Sequence, residues 1–386
     1  MADIVQPFPI NVDEAVLRDL ADRLARTRWP DAETVADGRQ GPRLDRIRAL
    51  VGRWADGYDW RKAENLLNNW GSSRTVIDGL GVHFLHVRSP NPDALPLLIT
   101  HGWPGSLLEF REVIGPLADP AAHGGDARDA FHLVIPALPG FGFSDKPTSP
   151  GWNVGHTAAA WVTLMERLGY GERWAAQGGD WGAAVTTALA HMRPPGLVGI
   201  HLNMAFYQPS EAEIAEATRA EQLMLHDAER YQREYAGYFN LQSTRPQSAA
   251  FALADSPVGL AAWIYALFQD VTDTGGEPER IISIDDILDD IMLYWLPNAG
   301  PSSVRFYWEG AQEMAKGGSD APVVPTGISM FPGEQLRLSR RWAERRFSHL
   351  VFFGEADRGG HFAAMENPSA FVEHVRDTFA QLRTVS

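Results

Sequence analysis

The sequence predicts an α/β fold with a mostly parallel central sheet, a helical segment before it and a helical insertion within it. From about residue 95 to residue 205, β-rich runs such as "LPLLITHG" and "FHLVIPALPG" alternate with helical runs, which is typical of parallel strands covered by helices on both faces. The alternation stops after residue 205 and returns near the C terminus. The 386 residues, 45% of them hydrophobic, are enough to bury a large core.

The first 72 residues are predicted to be helical. Residues 13–28 place apolar side chains at near-helical spacing between charges, residues 44–57 repeat the pattern less clearly, and "DWRKAENLLNNW" adds another helix. The next stretch, "RTVIDGLGVHFLHVRSP", predicts two strands joined by a turn over residues 78–81. We therefore expect an N-terminal segment, residues 1–72, ahead of the sheet.

The remaining chain divides into two parts of a core and an insertion between them. Residues 73–205 contain the alternating strands and helices, with helices expected from Leu107, from Val154 to Leu168, and after Asp180. Residues 206–315 carry long, aromatic-rich helical text such as "SPVGLAAWIYALFQDV", which predicts an inserted cap. Residues 316–386 return to the core with "VVPTGISMF", "HLVFFGEAD" and a closing helix near residues 367–382.

Composition excludes several functional classes. A formal net charge of −15 disfavours binding to nucleic acid, and the absence of cysteine excludes disulfides, thiolate nucleophiles and cysteine metal sites. The first thirty residues are charged throughout and no run of eighteen apolar residues occurs, so neither a secretory signal nor a transmembrane helix is expected. A cytoplasmic location is the resulting expectation.

The stretch "QGGDWGA" predicts a sharp turn between a strand and a helix, with Asp180 at its tip. Gly178 and Gly182 flank this residue two positions to either side, as glycines flank the nucleophile in the elbow of serine hydrolases. A carboxylate needs no activation at pH 7 and suits displacement at a saturated carbon. The expected product is an ester of Asp180, which water then hydrolyses.

Hydrolysis of that ester requires backbone donors for a developing oxyanion. The amide of Trp181 follows the nucleophile directly, and the glycine-rich "HGWPGS" after an earlier β-rich run offers the amide of Trp103. Two such motifs, each directly after a predicted strand, favour a catalytic site over ordinary turns.

The general base and its carboxylate partner are expected late in the chain, after the nucleophile. His361 in "DRGGHFAAME" lies in a glycine-rich loop after a predicted strand, whereas His349 begins a strand and His374 lies on the last helix. Glu334 in "ISMFPGEQL" follows the preceding strand and is the candidate acid. Glu355 and Asp357 are nearer to His361 in sequence and remain alternatives at this level.

The leaving group decides what else the site needs. A halide requires only hydrogen-bond donors such as indole N–H groups, but the oxygen of an opening epoxide requires a proton donor, which neutral tyrosine supplies. Periodicity alone does not choose among the tyrosines of the cap region, which are Tyr207, Tyr231, Tyr235, Tyr238, Tyr265, Tyr294 and Tyr307.

Many ordered stretches resemble the microsomal-type epoxide hydrolases, a branch of the α/β-hydrolase fold that includes the juvenile hormone epoxide hydrolases. They include "TRWPD", "YDWRKAENLLNNW", "HGWPGS", "PALPGFGFSDKP", "QGGDWG", "SSVRFYWE" and "RGGHFAAMENP", and they cover nearly the whole chain. The resemblance implies an N-terminal meander that wraps the core and reaches the cap. Mammalian members begin with a membrane anchor, whereas this chain starts at the meander, so a soluble enzyme without an anchor is expected.

The resemblance also implies roles for individual residues. Asp180 would be the nucleophile, His361 the water-activating base and Glu334 its carboxylate partner, with Tyr307 in "RFYWE" and Tyr238 in "AGYFNLQ" as donors to the epoxide oxygen. Trp103 and Trp181, which supply the oxyanion donors, would line the substrate site together with both tyrosines.

The implied reaction is hydrolysis of an epoxide to a vicinal diol with no metal or organic cofactor. An apolar or aryl epoxide is expected as substrate, and similar bacterial proteins act in detoxification, in the breakdown of aromatic hydrocarbons or in natural-product pathways such as the opening of enediyne-core epoxides. The alternatives are a haloalkane dehalogenase, which shares the aspartyl ester, and a non-catalytic binding protein of the same fold. The sequence leaves the physiological substrate, the stereochemistry and the oligomeric state open, with a homodimer as one alternative.

Overall fold

The computed structural model describes residues 4–314, 322–380 and 382–383. Its centre is one sheet with the strand order β1-β2-β3-β5-β4-β6-β7-β8-β9. The first three strands pair antiparallel to their neighbours and the others run parallel. The strands are β1 (Gln6–Pro7), β2 (Ser72–Ile77), β3 (Leu80–Val87), β4 (Leu95–Thr100), β5 (Phe131–Pro136), β6 (Trp174–Gly178), β7 (Leu197–Leu202), β8 (Thr326–Met330) and β9 (Leu350–Glu355).

The hairpin between β2 and β3 is tighter than the sequence predicted. Its turn consists of Asp78 and Gly79 alone, both with positive φ, and Leu80 and Gly81 already pair with β2. A two-residue turn with both residues in the left-handed region matches the right-handed twist of the strands it joins. The prediction of a four-residue turn over residues 78–81 was therefore wrong.

Helices cover both faces of the sheet. A 3₁₀ turn at Leu107–Phe110 precedes the first core helix, where the sequence predicted a helix beginning at Leu107. The α-helices outside the cap are α1 (Glu14–Ala25), α2 (Leu44–Ala55), α3 (Trp60–Asn69), α4 (Arg111–Ala118), α5 (Val154–Arg167), α6 (Asp180–Met192), α14 (Arg340–Arg346), α15 (Ala363–Glu366) and α16 (Pro368–Ala380). All six residues of β4 are buried, so the core is centred on this strand and its neighbours.

The insertion after β7 is entirely helical in the part of it that the structure describes. Its helices are α7 (Glu211–Ala215), α8 (Arg219–Glu234), α9 (Gly237–Thr244), α10 (Pro246–Asp255), α11 (Pro257–Val271), α12 (Ile284–Trp295) and α13 (Gly300–Met314). The predicted boundary between cap and second core part, at residues 315/316, lies outside the described residues.

The N-terminal helices pack against this cap. Arg53 on α2 donates two hydrogen bonds to Asp285 on α12, at 2.6 and 2.7 Å, and Trp54 Nε1 lies 3.3 Å from Met292 Sδ. The Tyr58 hydroxyl donates to Asp289 at 2.7 Å. The segment between β1 and β2 thus packs against the cap and helps to hold it in place. No helix among the described residues is long and apolar enough to cross a membrane.

Candidate active site

The turn between β6 and α6 places Asp180 at the carboxyl edge of the sheet. Asp180 is the first residue of α6 and has φ +49°, a conformation that a non-glycine residue adopts only where its surroundings enforce it. A Cβ atom on Gly178 would lie 2.1 Å from the Gly182 carbonyl oxygen, and one on Gly182 would lie 1.8 Å from Thr100 O. Both positions therefore require glycine.

Two backbone amides face the Asp180 carboxylate. Trp103 N donates to Asp180 Oδ1 at 2.7 Å, and the amide of Trp181, the next residue in the chain, helps to stabilise the charged form of the carboxylate. Burial raises the pKa of Asp180, while the His361 charge and these two amides oppose that rise. The donors predicted from "HGWPGS" and "QGGDWG" thus point at the same side chain.

His361 lies between two carboxylates. Its Nδ1 is 2.9 Å from Glu334 Oε2, and its Nε2 is 3.7 Å from Asp180 Oδ2. The other oxygen of Glu334 accepts hydrogen bonds from the amides of Gln335 and Leu336, at 2.7 and 3.2 Å. Glu334 is only 3% exposed, so its carboxylate is fixed in place. The Glu334–His361–Asp180 arrangement is the one that the sequence analysis expected.

The competing residues lie elsewhere. His374 on α16 contacts a serine hydroxyl at 2.9 Å, and His349 precedes β9. Glu355 is the exposed last residue of β9, and Asp357 accepts a long hydrogen bond of 3.4 Å from Asn367. Of the candidate acids, Glu334 is the one that contacts His361.

The charge of His361 depends on both carboxylates. Burial alone disfavours the imidazolium, but Glu334 and Asp180 outweigh burial and raise the pKa of His361 well above its usual value. We therefore expect an ion pair between an imidazolium and the Asp180 carboxylate in the free site. Removing the charge of Asp180 would lower this pKa.

A buried clamp that the sequence did not indicate holds the loop of His361. Glu366, 2% exposed, accepts hydrogen bonds from the amides of Phe362 and Asp273, at 3.0 and 2.7 Å. Asp273 in turn accepts a hydrogen bond from the Gly359 amide at 2.9 Å. Since Asp273 follows the cap helix α11, these bonds join the loop of His361 to the cap.

The cap brings the two predicted tyrosines over Asp180. The Tyr238 ring stacks on Trp103 at 5.4 Å, and the Tyr307 ring meets Trp181 edge to face at 4.9 Å. Burial raises the pKa of both tyrosines well above the usual value, so both hydroxyls are neutral at pH 7. The Tyr307 hydroxyl lies close to Trp181 and Tyr238 but makes no hydrogen bond of good geometry with the described residues.

A third tyrosine supports this pair. The Tyr231 hydroxyl lies 2.6 Å from the Tyr238 hydroxyl, and Tyr231 is 8% exposed. Sequence reasoning counted Tyr231 among the cap tyrosines without singling it out. Tyr231 precedes Tyr238 by seven residues and lies on α8, whereas Tyr238 lies on α9. The contact between their hydroxyls depends on how these two helices meet, which only the fold reveals.

Other cap tyrosines are committed to structural contacts. Tyr265 donates to Glu279 and Tyr294 to the Gly105 carbonyl, both at 2.6 Å, and Tyr207 donates to a glutamate on α7. These hydroxyls are therefore less suited to donate to a substrate oxygen.

A cavity of about 420 Å³ contains the five predicted catalytic side chains and Trp181, whereas Trp103, which was also expected to line the substrate site, is buried and does not line it. Asp180, His361, Glu334, Tyr238 and Tyr307 all line it, and most of its other walls are apolar or aromatic. A larger groove of about 870 Å³ near residues 146–152 contains none of these five side chains. A concave, mostly apolar space with a few convergent polar groups is typical of a small-molecule site. Among the described residues, no cluster of three or more His, Asp or Glu side chains could hold a metal ion.

These features define a hydrolase of the α/β-hydrolase class, and comparisons with known proteins agree. The family model for the alpha/beta hydrolase fold matches residues 96–254, and the model for the epoxide hydrolase N terminus matches residues 5–110.

Relatives over the full length narrow the class. Epoxide hydrolase 1 of Sus scrofa is 34% identical over 96% of this chain and 88% of its own length. A candidate epoxide hydrolase of Stigmatella aurantiaca (strain DW4/3-1) is 53% identical over 98% of this chain and 86% of its own length. The crystal structure of juvenile hormone epoxide hydrolase from Bombyx mori is 27% identical and superimposes with a TM-score of 0.90, covering 99% of this chain and 95% of that one. The chain belongs to the epoxide hydrolase family.

Proposed function

We propose that this protein hydrolyses an apolar or aryl epoxide to a vicinal diol through a covalent ester on Asp180. The observation that carries the proposal is the placement of a carboxylate, an imidazole and two neutral phenols around one apolar cavity. His361 Nε2 lies 3.7 Å from Asp180 Oδ2, so a water molecule beside the two side chains could contact both the imidazole and the carboxyl carbon of the ester.

In the first step an oxygen of Asp180 attacks one epoxide carbon. The carbon–oxygen bond on the opposite side breaks, its electron pair remains on the epoxide oxygen, and Tyr307 or Tyr238 donates a proton to that oxygen. The ester carries no charge, so the pKa of His361 falls. The imidazolium proton then replaces the one that the tyrosine donated, and His361 becomes neutral.

In the second step neutral His361 takes a proton from water, and the resulting hydroxide attacks the carbonyl carbon of the ester. The oxyanion that forms on Asp180 receives hydrogen bonds from the amides of Trp103 and Trp181. Collapse breaks the bond between that carbon and the diol oxygen, which takes the second proton of the water. Asp180 and His361 return to the ion pair of the free enzyme.

Single-turnover hydrolysis in H₂¹⁸O tests this sequence of bonds. With enzyme in excess over styrene oxide, the diol of the first turnover should carry the unlabelled oxygen of Asp180, while the enzyme gains the label. A one-step attack of water would instead place ¹⁸O in the diol at the first turnover. Mass spectrometry of the diol and of the peptide that contains Asp180 distinguishes the two routes.

The same protein can be tested against the dehalogenase alternative. A haloalkane would also form an ester on Asp180, but halide needs no proton from a phenol, and the two buried tyrosines over Asp180 fit an epoxide oxygen. Epoxide opening should therefore be faster than halide release from 1-haloalkanes of matched size. Faster halide release would replace the proposed function with that of a dehalogenase.

A further inference from the structure

One face of helix α6 forms a wall of the active-site cavity. Asp180, Ala184, Thr187, Ala188 and His191 all line the cavity, and their spacing of three or four residues places them in one stripe along the helix. These five residues are partly exposed, whereas most residues between them are buried. The cavity therefore follows the helix away from the nucleophile.

Helix α13 forms the facing wall. Tyr307, Gly310 and Glu313 line the same cavity at three-residue spacing. A Cβ atom on Gly310 would lie 2.5 Å from the Trp181 indole, so the two walls are in close contact beside the nucleophile. The space between α6 and α13 is consequently narrow.

The stripe shows how far the lining of the cavity extends from the nucleophile. From Asp180 to His191 the helix advances eleven residues, which corresponds to roughly 16 Å. The cavity of about 420 Å³ can therefore hold the tail of an elongated molecule along α6.

We infer that the enzyme prefers slim, elongated apolar epoxides, with the epoxide at Asp180 and the tail lying along α6, and that Ala184 and Ala188 set how deep the tail reaches. This inference rests on the proposed function, since it names the substrate class of the same site. The small side chains of the two alanines leave the apolar path open. His191 and Glu313 place polar groups at its far end, and the Thr187 hydroxyl lies beside Ala188 on the same wall.

A series of terminal epoxyalkanes, from 1,2-epoxybutane to 1,2-epoxyhexadecane, tests the wild-type enzyme. Each methylene that enters the apolar path should raise kcat/KM by up to about fourfold. The rise should stop when the tail reaches His191, which takes about twelve carbons of an extended chain. A kcat/KM value that is independent of chain length, or one that is highest for a compact epoxide such as cyclohexene oxide, would overturn the inference.

Two substitutions should shorten the longest alkyl chain that the cavity accepts, each by a distance known from the helix geometry. Ala188→Phe should block the path roughly 12 Å from Asp180 and stop the rise at about nine carbons, and Ala184→Phe should block it roughly 6 Å away, at about five carbons. Met192→Phe is the matched control, because Met192 lies on the same helix but is 47% exposed and does not line the cavity. It should keep the wild-type profile.

The shortest substrate separates the possible failures. Both blocking variants should still hydrolyse 1,2-epoxybutane, and turnover of this epoxide by wild-type enzyme shows that the proposed function holds. An unchanged length limit in Ala188→Phe would refute the inference while leaving that function intact. Absence of diol from every epoxide, 1,2-epoxybutane included, would instead refute the proposed function.

Discussion

The charge of Asp180 is predicted to control the protonation of His361. Asp180→Asn removes that charge with little change in shape and imitates the neutral ester. At the 3.7 Å between His361 Nε2 and Asp180 Oδ2, two unit charges in a partly buried site interact by about 4 kcal/mol. That energy corresponds to about a thousandfold change in the protonation equilibrium of the imidazole.

The sign of the effect follows from the ion pair. In the free wild-type enzyme the pKa of His361 is raised, so the imidazole is protonated at pH 7 and cannot act as a base. Neutralising Asp180 lowers this pKa, and the neutral form becomes available at the same pH. In the proposed mechanism the base would thus form only after the ester, and water would not be activated before the substrate is bound covalently.

Histidine side-chain NMR in ¹⁵N-labelled protein measures this directly. His361 is assigned by the signal missing from His361→Gln, and its titration is compared between wild type and Asp180→Asn. Intact mass must show that the asparagine has not deamidated to aspartate. Titration of His361 near its usual pKa in the wild type, or an unchanged pKa in Asp180→Asn, would refute the electrostatic reasoning.

Three further predictions concern the groups around this pair. Tyr307→Phe and Tyr238→Phe should each slow ester formation by roughly 10²- to 10⁴-fold in stopped-flow experiments, with much less effect on ester hydrolysis. Equal losses in both steps would indicate structural damage instead of lost acid catalysis. Tyr231→Phe removes the 2.6 Å contact with the Tyr238 hydroxyl and should slow ester formation less than Tyr238→Phe does, so a larger loss would contradict a supporting role. Glu366→Gln leaves one buried amide of the clamp unpaired, which should lower the free energy of unfolding in urea by about 1–3 kcal/mol. The variant should also accumulate part of the enzyme as the ester. An unchanged rate of ester hydrolysis would show that the clamp does not position the base.

Local patterns predicted most of the fold. The near-helical spacing of apolar residues located α1, α2 and α3, and the alternation of β-rich and helical runs located the parallel sheet. The two-residue strand β1 and the strand β7 were missed. Residues 6–7 are too few to form a pattern, and "LVGIHL" in β7 is a short apolar run that periodicity alone does not distinguish from a helix end.

The sequence predicted the position of a candidate site residue where that position depends on its neighbours in the chain. Asp180 required flanking glycines, and these are visible in the sequence because a Cβ atom at either position would collide with backbone oxygens. The choice of Glu334 over Glu355 and Asp357 could not be made from chain order alone, since the 2.9 Å contact with His361 depends on how two loops meet across the sheet.

Contacts between distant segments were invisible in the sequence. The clamp of Glu366 joins residues 93 positions apart, from Asp273 to Glu366, and an acid in a turn of helix is ordinarily a solvated side chain. Ala184 and Ala188 also carry no chemical signal of their own. Their proposed role comes from the face of α6 that lines the cavity opposite the cap helix α13.

The central claim is that Asp180 becomes an ester before water reacts, and intact-protein mass spectrometry of His361→Gln tests it most directly. Glutamine cannot take a proton from water near neutral pH, so the ester should form and persist. After rapid mixing with styrene oxide, the account predicts close to one equivalent of protein heavier by the mass of the epoxide, with the adduct on the peptide that contains Asp180. A folded His361→Gln protein that consumes epoxide with no adduct at any time would contradict the claim.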